Sequence, residues 1–304
     1  MMDLTVVSNL ALDTITGNDG SITSSLGGPS CYGGLVAIEL GLRPNLITRF
    51  GTDLKEEDKA ALKSRGLSLK PSCISELATT KFRIECLGQH RRLFLQSNCE
   101  KVRLEDVLNT RTDGWLVSPV FDEVPQVVLD YILSNPGHRN FVLLDPQGYT
   151  RAVDHKGMIS IRQEINLDLK GVTAIKLDPL ELGSLTGGLS GHSGIRKIHV
   201  RYGIKFVIFT GESAIHVSDG GTDYWLPLSK KNTPDSTGIG DILSSAFTST
   251  FLKEKELVWA FCFAVGAASA SLESKNLGLK KIPAYSKVEE NASYFYNMLN
   301  FAKL

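Results

Sequence analysis

Short runs rich in β-branched and aromatic residues alternate with helix-length segments, and this alternation constrains the fold more than any other feature of the chain. The runs are LTVVSN (4–9), NLITRF (45–50), GWLVSP (114–119), NFVLLD (140–145), VTAIKL (172–177) and IKFVIFT (204–210). Helix-length segments lie between them near 30–41, 55–65, 122–134 and 193–202. Several runs are apolar on both faces, as strands covered by helices on each side must be. The pattern predicts an α/β fold, a doubly wound and mostly parallel central sheet flanked by helices.

Two stretches break the alternation. Residues 13–25 alternate with period two around the turn signal GNDG, and residues 79–97 read as a hairpin around LGQH. Together they predict a small β lid beside the main sheet. No Pro- or Ser-rich linker, repeat or low-complexity tract interrupts the 304 residues, so a single domain over 1–304 containing the lid is expected. The run LVWAFCFAVGAASASL (257–272) is short for a membrane span and reads as a buried helix packed through small residues.

Lys+Arg 33 balance Asp+Glu 33, which points to neither a nucleic acid nor an anionic membrane as partner. HRR at 90–92 is the only obvious basic cluster, and its two arginines read as solvated or lid-edge charges. The five cysteines are widely spaced with no Cys-x-x-Cys, and the six histidines are scattered, so no zinc site is indicated. Reduced thiols and an N-terminus without a basic flank lead to the expectation of a cytoplasmic protein.

The segment NTPDSTGIGD (232–241) sets Asp235 and Asp241 around a Ser-Thr-Gly-Ile-Gly hinge. Apolar residues then recur at helical spacing to Leu252, so a helix begins near Gly238, with Asp235, Ser236 and Thr237 as N-cap candidates. The first N–H groups of a helix are unpaired and partially positive, which makes its start an anion site. Gly238 and Gly240 leave that site clear of Cβ atoms, and Asp241 projects from the first turn. An anion cradle beside an ionised carboxylate suits phosphoryl transfer. Taken alone, the stretch is equally a well-capped helix without chemistry.

DSTGIGD resembles the Asp-Thr-Thr-Gly-Ala-Gly-Asp signature of the ribokinase-like (PfkB-type) carbohydrate kinases. LGGPSCYGGLVAIELG (26–41), ITRFGTDL (47–54), KLDPLEL (176–182), VIFTGESA (207–214) and NLGLKKIP (276–283) resemble that family's other motifs in order and spacing. The resemblance implies an ATP-dependent kinase for a small polyhydroxylated acceptor, with Mg²⁺ and, in some members, a monovalent cation. It implies Asp241 as catalytic base and the backbone of Thr237, Gly238, Ile239 and Gly240 as anion hole. It further implies Glu181, with Asp178, at the metal, and Thr210, Gly211, Ala264 and Ala268 around the nucleotide. Asp13, Gly27, Gly28, Tyr32 and Asp53 would bind the acceptor beneath the lid, and a homodimer through the lid is compatible with the resemblance. Asp13 has an alternative as a turn cap, Tyr32 as a core aromatic, and Asp178 with Glu181 as a solvated helix face.

Asp178, Ile239 and Tyr32 stand where the family usually carries Asn, Ala and Asn. GGPSCY and DPQGYTR (145–151) also resemble segments of inositol kinases, which favours a sugar or cyclic polyol acceptor. A nucleoside acceptor, with Phe82, Phe94 or Phe121 supplying a slot for the base, is the rival. A non-catalytic nucleotide- or sugar-binding relative is the other. TGGLSGHSG (186–194) lacks the Gly-Lys-Ser/Thr ending of a phosphate loop and reads as a connection. No Gly-x-Gly-x-x-Gly follows the first strand, against a dinucleotide enzyme.

Overall fold

The computed structural model describes residues 1–17, 20–87, 90–134, 141–228 and 235–304. Residues 18–19 of the GNDG turn, 88–89 of the LGQH turn, Asn140 of NFVLLD and 232–234 of NTPDSTGIGD lie outside the described residues.

A nine-stranded sheet forms the centre. Its six parallel strands run, in spatial order, Phe206–Thr210, Ala174–Leu177, Phe141–Leu144, Gly114–Val117, Asp3–Val7 and Arg43–Ile47. Every residue of Gly114–Val117, Phe141–Leu144 and Ala174–Leu177 is buried, which explains why these runs are apolar apart from Lys176, whose charge is paired in the cleft. Helices Pro29–Glu39, Ile239–Glu254 and Leu257–Glu273 contribute to the core on one face. Gln126–Ser134, Pro179–Thr186 and Gly191–Tyr202 contribute to the core on the other. No helix among the described residues is long and apolar enough to cross a membrane.

The first strand, Asp3–Val7, lies between Arg43–Ile47 and Gly114–Val117, so chain direction across the sheet reverses there. Loops at the carboxyl ends of such strands splay apart and leave a crevice. Buried Glu123 fixes these loops by accepting the backbone N–H groups of Asn9, Val120 and Phe121 at 2.9, 2.8 and 2.7 Å.

The lid is a four-stranded sheet in the order Ile22–Gly27, Ala11–Thr16, Thr80–Leu87, His90–Ser97. Ala11, Phe82 and Ile84 cluster with Val120, joined by Ile15, Leu93, Leu95 and Phe121, so the lid's inner face packs on the loop after Gly114–Val117. Asp53 clasps the lid's base, accepting from Thr79 N at 2.9 Å and Thr79 Oγ1 at 2.7 Å and pairing with Lys81 at 2.6 Å. Burial works against its ionisation, but these donors prevail and hold the carboxyl at about 2.

Local differences from the sequence reading have identifiable causes. The run 45–50 is two strands, Arg43–Ile47 and Phe50–Gly51. Between them Thr48 Oγ1 accepts from Leu10 N, and Arg49 N donates to Asn9 Oδ1, so side chains take over from the ladder. The helix expected from 122 starts at Gln126, because Asp122 is held at φ 55°, outside helical space. Three antiparallel strands, Ala214–Ser218, Thr222–Pro227 and Asn300–Lys303, extend one edge of the sheet beyond the expected runs.

Candidate active site

The crevice is a cleft of about 1410 Å³ between the sheet ends, the lid and the starts of the helices. That exceeds the 300–1,000 Å³ usual for one small ligand and leaves room for two. Its lining includes the polar and charged side chains Asp13, Arg91, Gln147, Arg151, Lys176 and Asp241. It also includes apolar side chains from the lid, such as Phe82, Ile84 and Leu93, and from the last helices, such as Val265, Ala268, Leu272 and Phe295.

Helix Ile239–Glu254 opens onto the cleft with Gly238 as its N-cap, and no side chain caps it. Asp235, expected as a cap, turns away: its carboxylate pairs with Lys281 at 2.9 Å and accepts from Gly278 N at 2.8 Å. Its other oxygen accepts from Thr237 N at 2.8 Å, so that N–H of the expected cradle is already spent. Gly238 sits at φ 75°, and a Cβ there would meet the Tyr32 ring at 2.4 Å. Backbone conformation and contact both demand glycine at this position.

Asp241 in the first turn is 7% exposed. Burial, then the neighbouring Asp145, push its carboxyl up to about 7 against the pull of Lys176, Gln147 and Arg151. Gln147 Nε2 donates to Asp241 Oδ1 at 3.1 Å, and Arg151 Nη2 donates to Gln147 Oε1 at 2.8 Å. Lys176 Nζ lies 3.3 Å from Asp145 Oδ2 and 3.8 Å from Glu181 Oε2. Burial opposes its charge, but these carboxylates hold the ammonium protonated beyond the usual lysine range.

Asp178 and Glu181 both line the cleft and cap one helix reciprocally. Asp178 N donates to Glu181 Oε2 and Glu181 N to Asp178 Oδ1, each at 2.8 Å. Burial raises the Glu181 carboxyl to about 7 despite Lys176. The box leaves each carboxylate one uncommitted oxygen, a donor set that suits Mg²⁺ held mainly by phosphate and water. Among the described residues, no group of three His, Cys, Asp or Glu could hold a metal alone.

Of the other expected residues, Asp13, Gly28, Tyr32, Thr210, Thr237, Ile239, Gly240 and Ala268 line the cleft. Asp13 is buried, which lifts its carboxyl to about 7 despite Arg151 and Arg91. Gly27 passes behind it, where a Cβ would stand 2.2 Å from Asp13 Oδ2. Tyr32 is fully buried and packs under Gly238, with no partner for its hydroxyl among the described residues. Asp53, Gly211 and Ala264 are not among the residues lining the cleft. Asp53 clasps the lid, Gly211 N turns back to Ala214 O at 2.9 Å, and Ala264 is core, one helical turn from Ala268.

Gln147, Arg151, Lys176 and Asp145 were missed as site residues, although DPQGYTR and KLDPLEL contain them. For Asp145 and Gln147 the available signal was a polar residue just after an apolar run, where a parallel strand ends; for Lys176 it was a lone charge inside such a run. Arg91 and Arg92 are exposed at the lid edge as expected, and both border the cleft.

Residues 134–284 match the model of the pfkB family of carbohydrate kinases. The chain carries a PfkB family carbohydrate kinase domain. The kinase is thus a phosphotransferase with an alcohol group as acceptor. Its fold matches solved structures along nearly its whole length. A pyrophosphate-dependent kinase of the ribokinase family, complexed with a pyrophosphate analogue and myo-inositol, is 21% identical, with a TM-score of 0.77 over 94% of this chain and 99% of that one. Ribokinase from Thermotoga maritima is 17% identical, with a TM-score of 0.73 over 96% and 100%. Arabidopsis thaliana ribokinase, complexed with ribose and ATP, is 18% identical, with a TM-score of 0.71 over 96% and 98%. At these identities the likeness establishes the ribokinase-like fold. No curated protein matches the chain in sequence.

Proposed function

We propose that this kinase transfers the γ-phosphoryl group of ATP to a hydroxyl of a sugar or cyclic polyol, with an inositol as the favoured acceptor. One observation carries the reading: a buried carboxylate, Asp241, stands in the first turn of a helix whose start no side chain caps, and it lines the cleft. Asp13 and the backbone at Gly28 suit a hydroxyl-rich ring, because they offer acceptors and close approach. The apolar side chains Val265, Ala268 and Leu272 suit a nucleobase. Neighbouring structures complexed with ATP and ribose, and with myo-inositol, support both halves.

The acceptor oxygen attacks the γ-phosphorus, its proton passes to Asp241, and the bridging P–O bond breaks to release ADP. Backbone N–H groups from Gly238 to Asp241 face the charge developing on the transferring group. Lys176 adds a buried positive charge beside Gly240, where a Cβ would lie 3.3 Å from its Nζ. Asp178 and Glu181 would hold Mg²⁺, which when bound neutralises charge on the donor phosphates.

The decisive experiment measures acceptor-dependent ADP formation across polyols, cyclitols, hexoses, pentoses and nucleosides, with pyrophosphate as a parallel donor. Pyrophosphate is included because several structural neighbours use it. No acceptor-dependent turnover with any donor would leave the binding-only relative as the reading.

A further inference from the structure

We infer that Arg151 and Gln147 form a positioning relay that selects which oxygen of Asp241 faces the acceptor. The inference rests on Asp241 being the base, as proposed above.

A carboxamide can present either end, and its partners decide which. Arg151 has only donors, so the Gln147 oxygen must face it, at 2.8 Å. The Gln147 amide nitrogen is thereby turned to Asp241 Oδ1, at 3.1 Å. Arg151 is itself anchored, since Nη1 donates to the Val120 carbonyl at 2.6 Å, in the loop on which the lid packs. Gln147 sits in a one-turn helix following the strand Phe141–Leu144, 94 positions from Asp241. The relay thus reaches from the loop under the lid to the start of the helix that carries Asp241. With Oδ1 engaged, Oδ2 is the oxygen left to take the acceptor proton.

The charged and titratable groups around Asp241 are Asp145 and Lys176 at the sheet ends, Arg151 beyond Gln147, Lys281 with Asp235, and Cys31 and Tyr32 on the helix Pro29–Glu39. Gln147 is the neutral donor on this carboxylate among the described residues. A donor to a carboxylate favours its ionised form, so removing it moves the acid limb of the rate profile to higher pH.

The test compares Gln147→Leu, Gln147→Glu and Arg151→Leu with the unaltered kinase across pH, using the best acceptor of the screen. A hydrogen bond to a charged group is worth roughly 10- to 100-fold, so Gln147→Leu should lose about that factor in kcat, with donor KM unchanged. Its acid limb should rise by about one pH unit. Gln147→Glu, which keeps side-chain size and sets a like charge against Asp241, should raise it further and serves if the Leu variant fails to fold. Arg151→Leu should lower kcat, and combined with Gln147→Leu should cost no more than Gln147→Leu alone, as members of one relay are non-additive. Unmoved acid limbs in folded Gln147 variants, or full additivity, would overturn the relay while leaving Asp241 as base. Normal turnover by Asp241→Asn would instead overturn the base, and the relay with it.

Discussion

Lys176 Nζ and Asp145 Oδ2 lie 3.3 Å apart, both side chains buried, where the strands Ala174–Leu177 and Phe141–Leu144 end side by side. Glu181 completes the group, with Oε2 3.8 Å from the ammonium. One lysine therefore balances two buried carboxylates beneath the proposed anion hole.

Replacing Lys176 with Met should be costly because it strands both carboxylates. Removing one partner of a buried pair typically costs about 3–5 kcal/mol, so the urea midpoint should fall clearly. Adding Asp145→Asn should restore part of the loss. An unchanged midpoint in Lys176→Met would show that the pairing contributes nothing to the fold.

Asp241→Asn should lower turnover by roughly 10²–10⁴ with little change in substrate affinity. In the unaltered kinase activity should rise with pH through about 7, where the Asp241 carboxyl ionises. Stability should move the opposite way. A carboxyl raised from 3.8 in the unfolded chain to about 7 in the fold contributes stability that is full below about 4 and lost as pH rises through 7. The Asn variant should thus melt roughly 2–6 °C higher at pH 8. Calorimetry and steady-state kinetics on one preparation check both signs.

Glu181→Gln should raise the Mg²⁺ concentration needed for half-maximal rate, since a hard cation loses an anionic oxygen. Asp178→Asn keeps an oxygen for the Glu181 N–H in the capping box and should stay active. Titrating rate against Mg²⁺ separates the two, and an unmoved requirement in Glu181→Gln would remove that residue from the metal.

Deoxygenated cyclitols should fail as acceptors even at high concentration, because a site that pairs hydroxyls rejects analogues leaving its buried groups unpaired. Phe94, one of the aromatics considered for a nucleobase slot, packs its ring against Arg83, 4.0 Å from the guanidinium carbon, and does not line the cleft. Phe82 does line it, so nucleosides belong in the same series. A nucleoside with the highest kcat/KM, and polyols at background, would reverse the acceptor assignment.

Much of this was legible along the chain. Strands buried on both faces favour apolar residues at nearly every position, so central strands such as Gly114–Val117 and Phe141–Leu144 appeared as apolar runs. The glycines around Asp241 were legible for a related reason. A left-handed backbone at a helix entrance strongly favours glycine, and Gly238 occupies that conformation. The antiparallel edge strands were harder, since Ala214–Ser218 and Thr222–Pro227 mix buried and half-buried positions and carry a weaker pattern.

By itself, then, the sequence determined the layered α/β fold, the lid and the place of Asp241, all of which follow from local periodicity and backbone conformation. Only the tertiary structure decided what surrounds that carboxylate. Gln147 meets Asp241 across 94 positions and Arg49 meets Asp106 across 57, and no local pattern encodes such contacts. The same holds for direction: Asp53 turns to the lid's base and Ala264 into the core, while Asp13 and Ala268 border the cleft. Side-chain direction depends on how each strand and helix is seated against its neighbours, and that seating is set by packing over the whole domain.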